Sequence, residues 1–124
     1  MPTLIIVEDE ALIAISIEQM VTELGWTVLG IARDLPRANA LLDATRPDLA
    51  ILDIQLVGAT SIPVAQRCLA TGTAVLFTTG YLAADIPPEC AGYPVLAKPF
   101  SLEQLRACLE QAFPVETLGQ GAGE

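Results

Sequence analysis

Four apolar runs in this sequence end on residues that can do chemistry. Asp48-Leu49-Ala50-Ile51-Leu52 closes on Asp53, Leu4-Ile5-Ile6-Val7 on Glu8 and Asp9, Ala74-Val75-Leu76-Phe77 on Thr78 and Thr79, and Val95-Leu96-Ala97 on Lys98. A short continuous apolar run is the pattern of a strand covered on both faces, and open parallel sheets bind ligands beyond the carboxyl ends of their strands. If these runs are neighbouring parallel strands, three carboxylates, a hydroxyl and an ammonium meet at one edge. Carboxylates brought that close repel unless a cation joins them, and hard oxygen donors of this number suit Mg²⁺ with part of its water shell. Glu8, Asp9 and Asp53 are the expected metal ligands. An ionised aspartate is also a nucleophile toward phosphorus, while a cation and a lysine neutralise charge on the phosphoryl oxygens. Asp53 is therefore the expected phosphoacceptor, Lys98 the neutralising ammonium, and a threonine after the fourth run the hydroxyl donor.

Each of these residues alone has a plainer reading. An aspartate after a strand usually caps the next turn, a Glu-Asp pair usually favours a helix N-terminus, and a lysine before proline is usually solvated. Only their joint placement at the ends of four runs argues for a site.

The intervening segments must position these groups. From about Glu10 to Leu24 a helix is expected, with its apolar stripe at Ile13, Ile17, Met20, Val21 and Leu24 and its stop at Gly25. Leu12 and Ile15 fall off that stripe, as ordinary surface residues or as part of a docking face. Trp26 to Ile31 reads as a second strand, and Pro36 sits early in a second helix that ends before Pro47. After Asp53, residues 58 to 61 read as a loop with helix-capping side chains. Val64, Ala65, Cys68 and Leu69 mark the buried stripe of a third helix stopped by Gly72. The fourth strand is expected over about 73 to 77. Residues 80 to 94, with Gly80, Pro87, Pro88, Gly92 and Pro94, predict one short helical turn in a mobile segment. Val95 to Ala97 forms a fifth strand, and Ser101-Leu102-Glu103-Gln104 has the form of a capping box opening a last helix that Pro114 stops. Five strand and helix alternations predict an α/β fold with a doubly wound, five-stranded parallel sheet. One domain is expected over residues 1 to 114, followed by a flexible tail over 115 to 124.

Composition narrows the function classes. With 124 residues and 52% apolar content the chain fills one core and leaves no room for a second catalytic or DNA-binding domain. A net charge of −9 disfavours direct contact with nucleic acid or anionic lipid, and the apolar runs are too short to cross a bilayer, so a cytoplasmic protein is expected. The chain has no histidine, which removes serine-histidine catalysis, and Cys68, Cys90 and Cys108 lack a partner set for zinc. They read as small apolar residues.

In this order, the motifs resemble those of a two-component response-regulator receiver domain. Glu8-Asp9 is similar to the family's acidic pair, Asp53 to its phosphoacceptor, the threonine after the fourth strand to its hydroxyl position, and Lys98-Pro99-Phe100 to its Lys-Pro-Phe motif. The similarity covers about residues 3 to 113. Phe77-Thr78-Thr79-Gly80-Tyr81 further resembles a subgroup marked by Phe-Ala-Thr-Gly followed by Gly or Tyr, as do Asp53-Ile54-Gln55-Leu56 and Ser61-Ile62-Pro63-Val64-Ala65. The resemblance implies a flavodoxin-like fold with strand order 2-1-3-4-5 and a cis Lys98-Pro99 peptide. It implies Mg²⁺ held by Asp9, Asp53 and the main-chain carbonyl of Gln55, with Glu8 acting mainly through water. It implies a sensor histidine kinase or histidine phosphotransfer protein as phosphodonor, a downstream protein partner, and no enzymatic activity beyond self-phosphotransfer and autodephosphorylation. Two departures stand out: Thr78 replaces the subgroup's alanine, leaving Thr79 with Thr78 as an alternative, and Val95 stands where many receivers carry an aromatic residue. The other readings are a phosphorylation-independent binding module, disfavoured by the complete acidic, threonine and lysine set, a Mg²⁺-dependent aspartyl-phosphate phosphatase, disfavoured by Gln55 two residues after Asp53, and a flavin-binding domain, disfavoured by carboxylates where a phosphate cradle belongs.

Overall fold

A computed structural model describes residues 2–80 and 86–114. The elements run β1 (Thr3–Val7), α1 (Ala11–Glu23), β2 (Thr27–Ala32), α2 (Leu35–Ala44), β3 (Leu49–Asp53), β4 (Gln55–Leu56), β5 (Ala59–Thr60), α3 (Ile62–Thr71), β6 (Ala74–Thr79), β7 (Val95–Ala97) and α4 (Leu102–Ala112). The main sheet is parallel with order β2-β1-β3-β6-β7. Counting its strands alone gives the expected 2-1-3-4-5 order of a flavodoxin-like α/β fold.

The continuous apolar runs are explained by helices on both faces of this sheet. Leu4, Ile6, Leu49, Ile51, Leu76 and Leu96 point into one core with Ala14, Ile17 and Val21 of α1 and Leu105 and Leu109 of α4. The alternate residues Ile5, Val7, Ala50, Leu52, Val75 and Phe77 point into the other, with Ala38 of α2 and Val64, Ala65 and Cys68 of α3. The period-2 alternation of strand side chains thus assigns each residue to a face, and that assignment continues past the strand ends into the polar residues.

Local signals in the sequence account for most boundaries. Ser101 and Gln104 form a reciprocal capping box at α4, satisfying two otherwise orphan N–H groups. Gly72 takes φ +81 after α3, a left-handed conformation that a side chain would strain. Gly30 serves close packing: a Cβ there would come within 2.6 Å of Leu41. The Lys98-Pro99 peptide is cis, as the resemblance implied.

Pro36 lies within the first turn of α2, as expected, and Asp34 caps that helix, its side chain accepting from the Arg37 N–H at 2.9 Å. Several expectations need correction. Residues 55 to 60 form a small antiparallel hairpin, with Gln55 opposite Thr60 and Leu56 opposite Ala59, so Ala59 and Thr60 of the loop expected over 58 to 61 are paired. Ser61 occupies the cap position of α3 but donates and accepts no side-chain cap bond. Leu69 is 67% exposed, so the buried stripe of α3 ends at Cys68. The buried residues of α1 are Ala14, Ile17 and Val21, with Ile13, Met20 and Leu24 only partly covered. Tyr93 packs edge-on against Phe77 with ring centroids 5.3 Å apart.

Of the segment from 80 to 94, Pro88–Cys90 forms one 3-10 turn, and residues 81–85 lie outside the described residues, as does the tail expected over 115–124. Cys68 and Cys90 are buried and Cys108 is half-buried, and burial pushes all three thiols up, Cys68 to about 11. That suits their reading as small apolar residues. No described helix is long and apolar enough to cross a membrane.

Candidate functional site

Parallel register brings the strand ends together. Val7 pairs with Leu52, and Asp53 pairs with Thr78, so Glu8, Asp53 and Thr78 follow one another across the top of the sheet. Thr79 pairs with Ala97 on the far side, and the Lys98 N–H donates to the Thr79 carbonyl at 2.8 Å. The alternation fixed by the cores places Glu8, Asp53, Thr78 and Lys98 on the α1/α4 face. Thr79 falls on the opposite face, with Phe77.

Lys98 ties this row together. Its ammonium donates to Glu8 Oε1 at 2.9 Å and to Asp53 Oδ2 at 3.1 Å. Glu8 is buried at 1% exposure, and its other oxygen accepts from the Glu10 N–H at 3.1 Å. A fully buried carboxylate loses hydration, which disfavours its charged form. Burial accordingly pushes the Glu8 carboxyl from 4.5 up to about 7, against the hydrogen bonds from Lys98 and the Glu10 N–H, and the charge of Asp53 adds to the rise. Burial draws the Lys98 ammonium down, but its hydrogen bonds to Glu8 and Asp53 outweigh that and leave it above its ordinary value.

Asp9 turns the other way. Its Oδ2 accepts from the Val57 N–H at 3.0 Å, which fastens the β4–β5 hairpin to the end of β1. One carboxylate oxygen from each of Glu8, Asp9 and Asp53 nonetheless falls within 4.8 Å of the others. Three hard donors at that spacing, two of them on buried side chains, fit a small divalent cation such as Mg²⁺. The crowding also supplies a reason to bind one, because added positive charge favours the ionised form of carboxylates held this close. Gln55, named for its main-chain carbonyl, opens β4 two residues past Asp53, and its exposed side chain donates to the Leu56 carbonyl at 3.2 Å.

Glu8, Asp9, Asp53, Lys98 and Thr78 therefore meet at one sheet edge, Thr79 ends β6 on the other face, Gln55 lies on the adjoining hairpin, and the structure adds two facts. The first is the Lys98–Glu8 ion pair, which joins residues 90 positions apart. The second is the position of Thr78 directly across from Asp53, with its hydroxyl buried and lacking a hydrogen-bond partner. The sequence carried the second signal in the alternation of β6, once the face of Leu76 is known.

Beside the site lies an apolar groove of about 440 Å³ between α1 and the Lys98-Pro99-Phe100 turn, lined by Leu12, Ile13, Ile17, Met20, Pro99 and Phe100. Leu12 is 83% exposed at its rim.

Residues 4–110 match the model of the response regulator receiver domain. The chain is 34% identical over 116 residues to the phyllosphere-induced regulator PhyR of Methylorubrum extorquens; the match covers 88% of this chain but 42% of PhyR, so the chain spans less than half the length of that relative. The solution structure of SdrG from Sphingomonas melonis Fr1 is similar with TM-score 0.79 at 33% identity, over 88% of this chain and 93% of SdrG. A second SdrG structure, from Pseudomonas melonis Fr1 in a BeF3-activated conformation, gives TM-score 0.77 at 33% identity, over 86% of this chain and 92% of that one.

Proposed function

The chain belongs to the response-regulator receiver family, and from that premise we propose that it accepts a phosphoryl group on Asp53 in a Mg²⁺-dependent reaction and signals by changing its protein partners. The observation that carries this reading is Lys98 bridging Glu8 and Asp53, with Asp9 completing a three-carboxylate cluster. A binding module that never handled phosphate would have no use for that buried, partly self-repelling arrangement.

The donor that the family implies is a phosphohistidine of a sensor kinase or phosphotransfer protein. A carboxylate oxygen of Asp53 attacks phosphorus, the bond from phosphorus to the imidazole nitrogen breaks, and the imidazole leaves with its electron pair. Glu8, Asp9, Asp53 and the Gln55 carbonyl would hold the cation, which when bound neutralises charge on the transferring oxygens. Lys98 is drawn from the Asp53 carboxylate toward the new phosphoryl oxygens, where negative charge is greater. Thr79, the last residue of β6 and paired with Ala97, would offer its hydroxyl to the phosphoryl group at the strand end from the face opposite Thr78, and carry the change to the segment that leads into β7. The phosphoryl group is lost to water, so the chain turns over no separate substrate.

The groove beside Lys98 suits the incoming donor protein. An apolar surface seated against Leu12, Ile13 and Phe100 would set a phosphohistidine at its edge within reach of Asp53. SdrG, whose BeF3-activated conformation is similar to this chain and of similar length, supports an activatable receiver. The test is to incubate the protein with acetyl phosphate and Mg²⁺ and read the intact mass. One phosphoryl adduct, acid-stable and absent from Asp53→Asn, is expected; full labelling of Asp53→Asn would refute the assignment.

A further inference from the structure

Among the described residues, two buried side-chain oxygens have no hydrogen-bond partner, Ser61 Oγ and Thr78 Oγ1. A hydroxyl buried without a partner forfeits the bonds it made to water, so its presence asks for an explanation in what the site does when loaded. Thr78 is 1% exposed and stands opposite Asp53 in the parallel register. Both side chains fall on the α1/α4 face, because Ile51 and Leu76 two residues earlier pack into that core. Adjacent strands are about 4.8 Å apart, which sets the Thr78 side chain beside that of Asp53. At rest the Asp53 Oδ2 position is taken by the Lys98 ammonium at 3.1 Å.

We propose that Thr78 is a contact of the phosphorylated site that shortens the life of the aspartyl phosphate. Once the phosphoryl oxygens draw Lys98 away, the Thr78 hydroxyl donates to the carboxyl oxygen of Asp53 that does not carry phosphorus. In hydrolysis, water attacks phosphorus and the bond from phosphorus to Asp53 breaks. Its electron pair returns to the carboxylate, and inorganic phosphate leaves with the protons of the water. Negative charge develops on the Asp53 carboxylate as that bond breaks, and a donor aimed at it stabilises the transition state more than the acyl phosphate. Thr79 has a different task, since it lies on the opposite face and pairs with Ala97. This assignment rests on Asp53 being the phosphoacceptor.

The experiment compares wild type with Thr78→Val, which keeps the shape and deletes the hydroxyl, and Thr78→Ser, which keeps the hydroxyl. Each is labelled with acetyl phosphate and Mg²⁺, freed of donor, and followed by intact mass as the adduct decays; the metal-free proteins are melted in parallel. Thr78→Val is expected to decay more slowly by roughly three- to tenfold, the worth of one hydrogen bond gained in the transition state. Its metal-free melting temperature should rise by roughly 3–6 °C as the unpartnered hydroxyl is removed. Thr78→Ser should restore the wild-type decay. A purely structural role would move stability and leave the decay rate alone, and an unchanged decay in Thr78→Val overturns the proposal. A lower melting temperature for that variant would show that the hydroxyl is partnered at rest and overturns it equally. If wild type takes up no phosphoryl group at all, the phosphoacceptor reading itself fails and takes this assignment with it.

Discussion

Asp9 Oδ2 accepts the backbone N–H of Val57 at 3.0 Å, so one carboxylate of the three-residue acidic cluster also anchors the hairpin that follows Asp53. The hairpin is only two short strands, which are marginal without support. A cation held by that cluster would thereby be coupled to loop position through one side chain.

Substitution at Asp9 separates these two jobs. Asp9→Asn keeps an oxygen acceptor for the Val57 N–H while deleting charge from a crowded cluster. The metal-free variant should melt at or above the wild-type temperature and gain no stability from Mg²⁺. Asp9→Ala should in addition lose about 1 kcal/mol through the released N–H. Chemical denaturation with and without Mg²⁺ checks both; undiminished Mg²⁺ stabilisation in Asp9→Asn would exclude this residue as a ligand.

Lys98 compensates two buried carboxylates, so its removal should cost more than its own packing. Lys98→Met leaves Glu8 and Asp53 facing each other without a cation, and breaking a buried pair from one side typically costs about 3–5 kcal/mol. The loss should be greatest without metal and partly reversed by Mg²⁺. Equal destabilisation in both conditions would argue that the lysine acts by shape alone.

The Glu8 carboxyl gives the metal-free protein a specific pH dependence. Its folded-state value is raised from 4.5 to about 7, chiefly by burial. Between those values the folded state holds more protons than the unfolded chain, so this group's contribution falls as pH rises from about 4.5 to 7 and is level on either side. Metal-free wild type is expected to lose on the order of 2–3 kcal/mol relative to Glu8→Gln across that interval. Saturating Mg²⁺ should flatten the difference, because a bound cation favours the ionised form. Parallel pH profiles for the two metal-free proteins would contradict the burial argument.

Thr79 should transmit phosphorylation without being needed for it. Thr79→Ala is expected to accept phosphate on Asp53 yet lose the change in amide exchange that a beryllofluoride mimic produces in wild type across residues 86 to 97. Retention of that change would move the signalling hydroxyl elsewhere.

The sequence by itself determined the sheet, its doubly wound connections and the residues that meet at its edge, for a physical reason. Continuous apolar runs have to be covered on both faces, and right-handed crossovers leave one arrangement that gathers their carboxyl ends. Asp53, Asp9, Glu8 and Lys98 were legible because each sits where such a run stops. The β4–β5 hairpin was not, because two-residue strands carry no periodicity. The exposure of Leu69 was equally hidden, since a helix stripe shows which residues share a side but not where the neighbouring sheet ends. Only the tertiary structure decided that Lys98 pairs with Glu8 as well as Asp53, and that Thr78 stands beside Asp53 while Thr79 turns to the other face. Those facts depend on strand register between residues far apart in the chain, and a shift of one residue would exchange the two threonines and every other side chain between the faces.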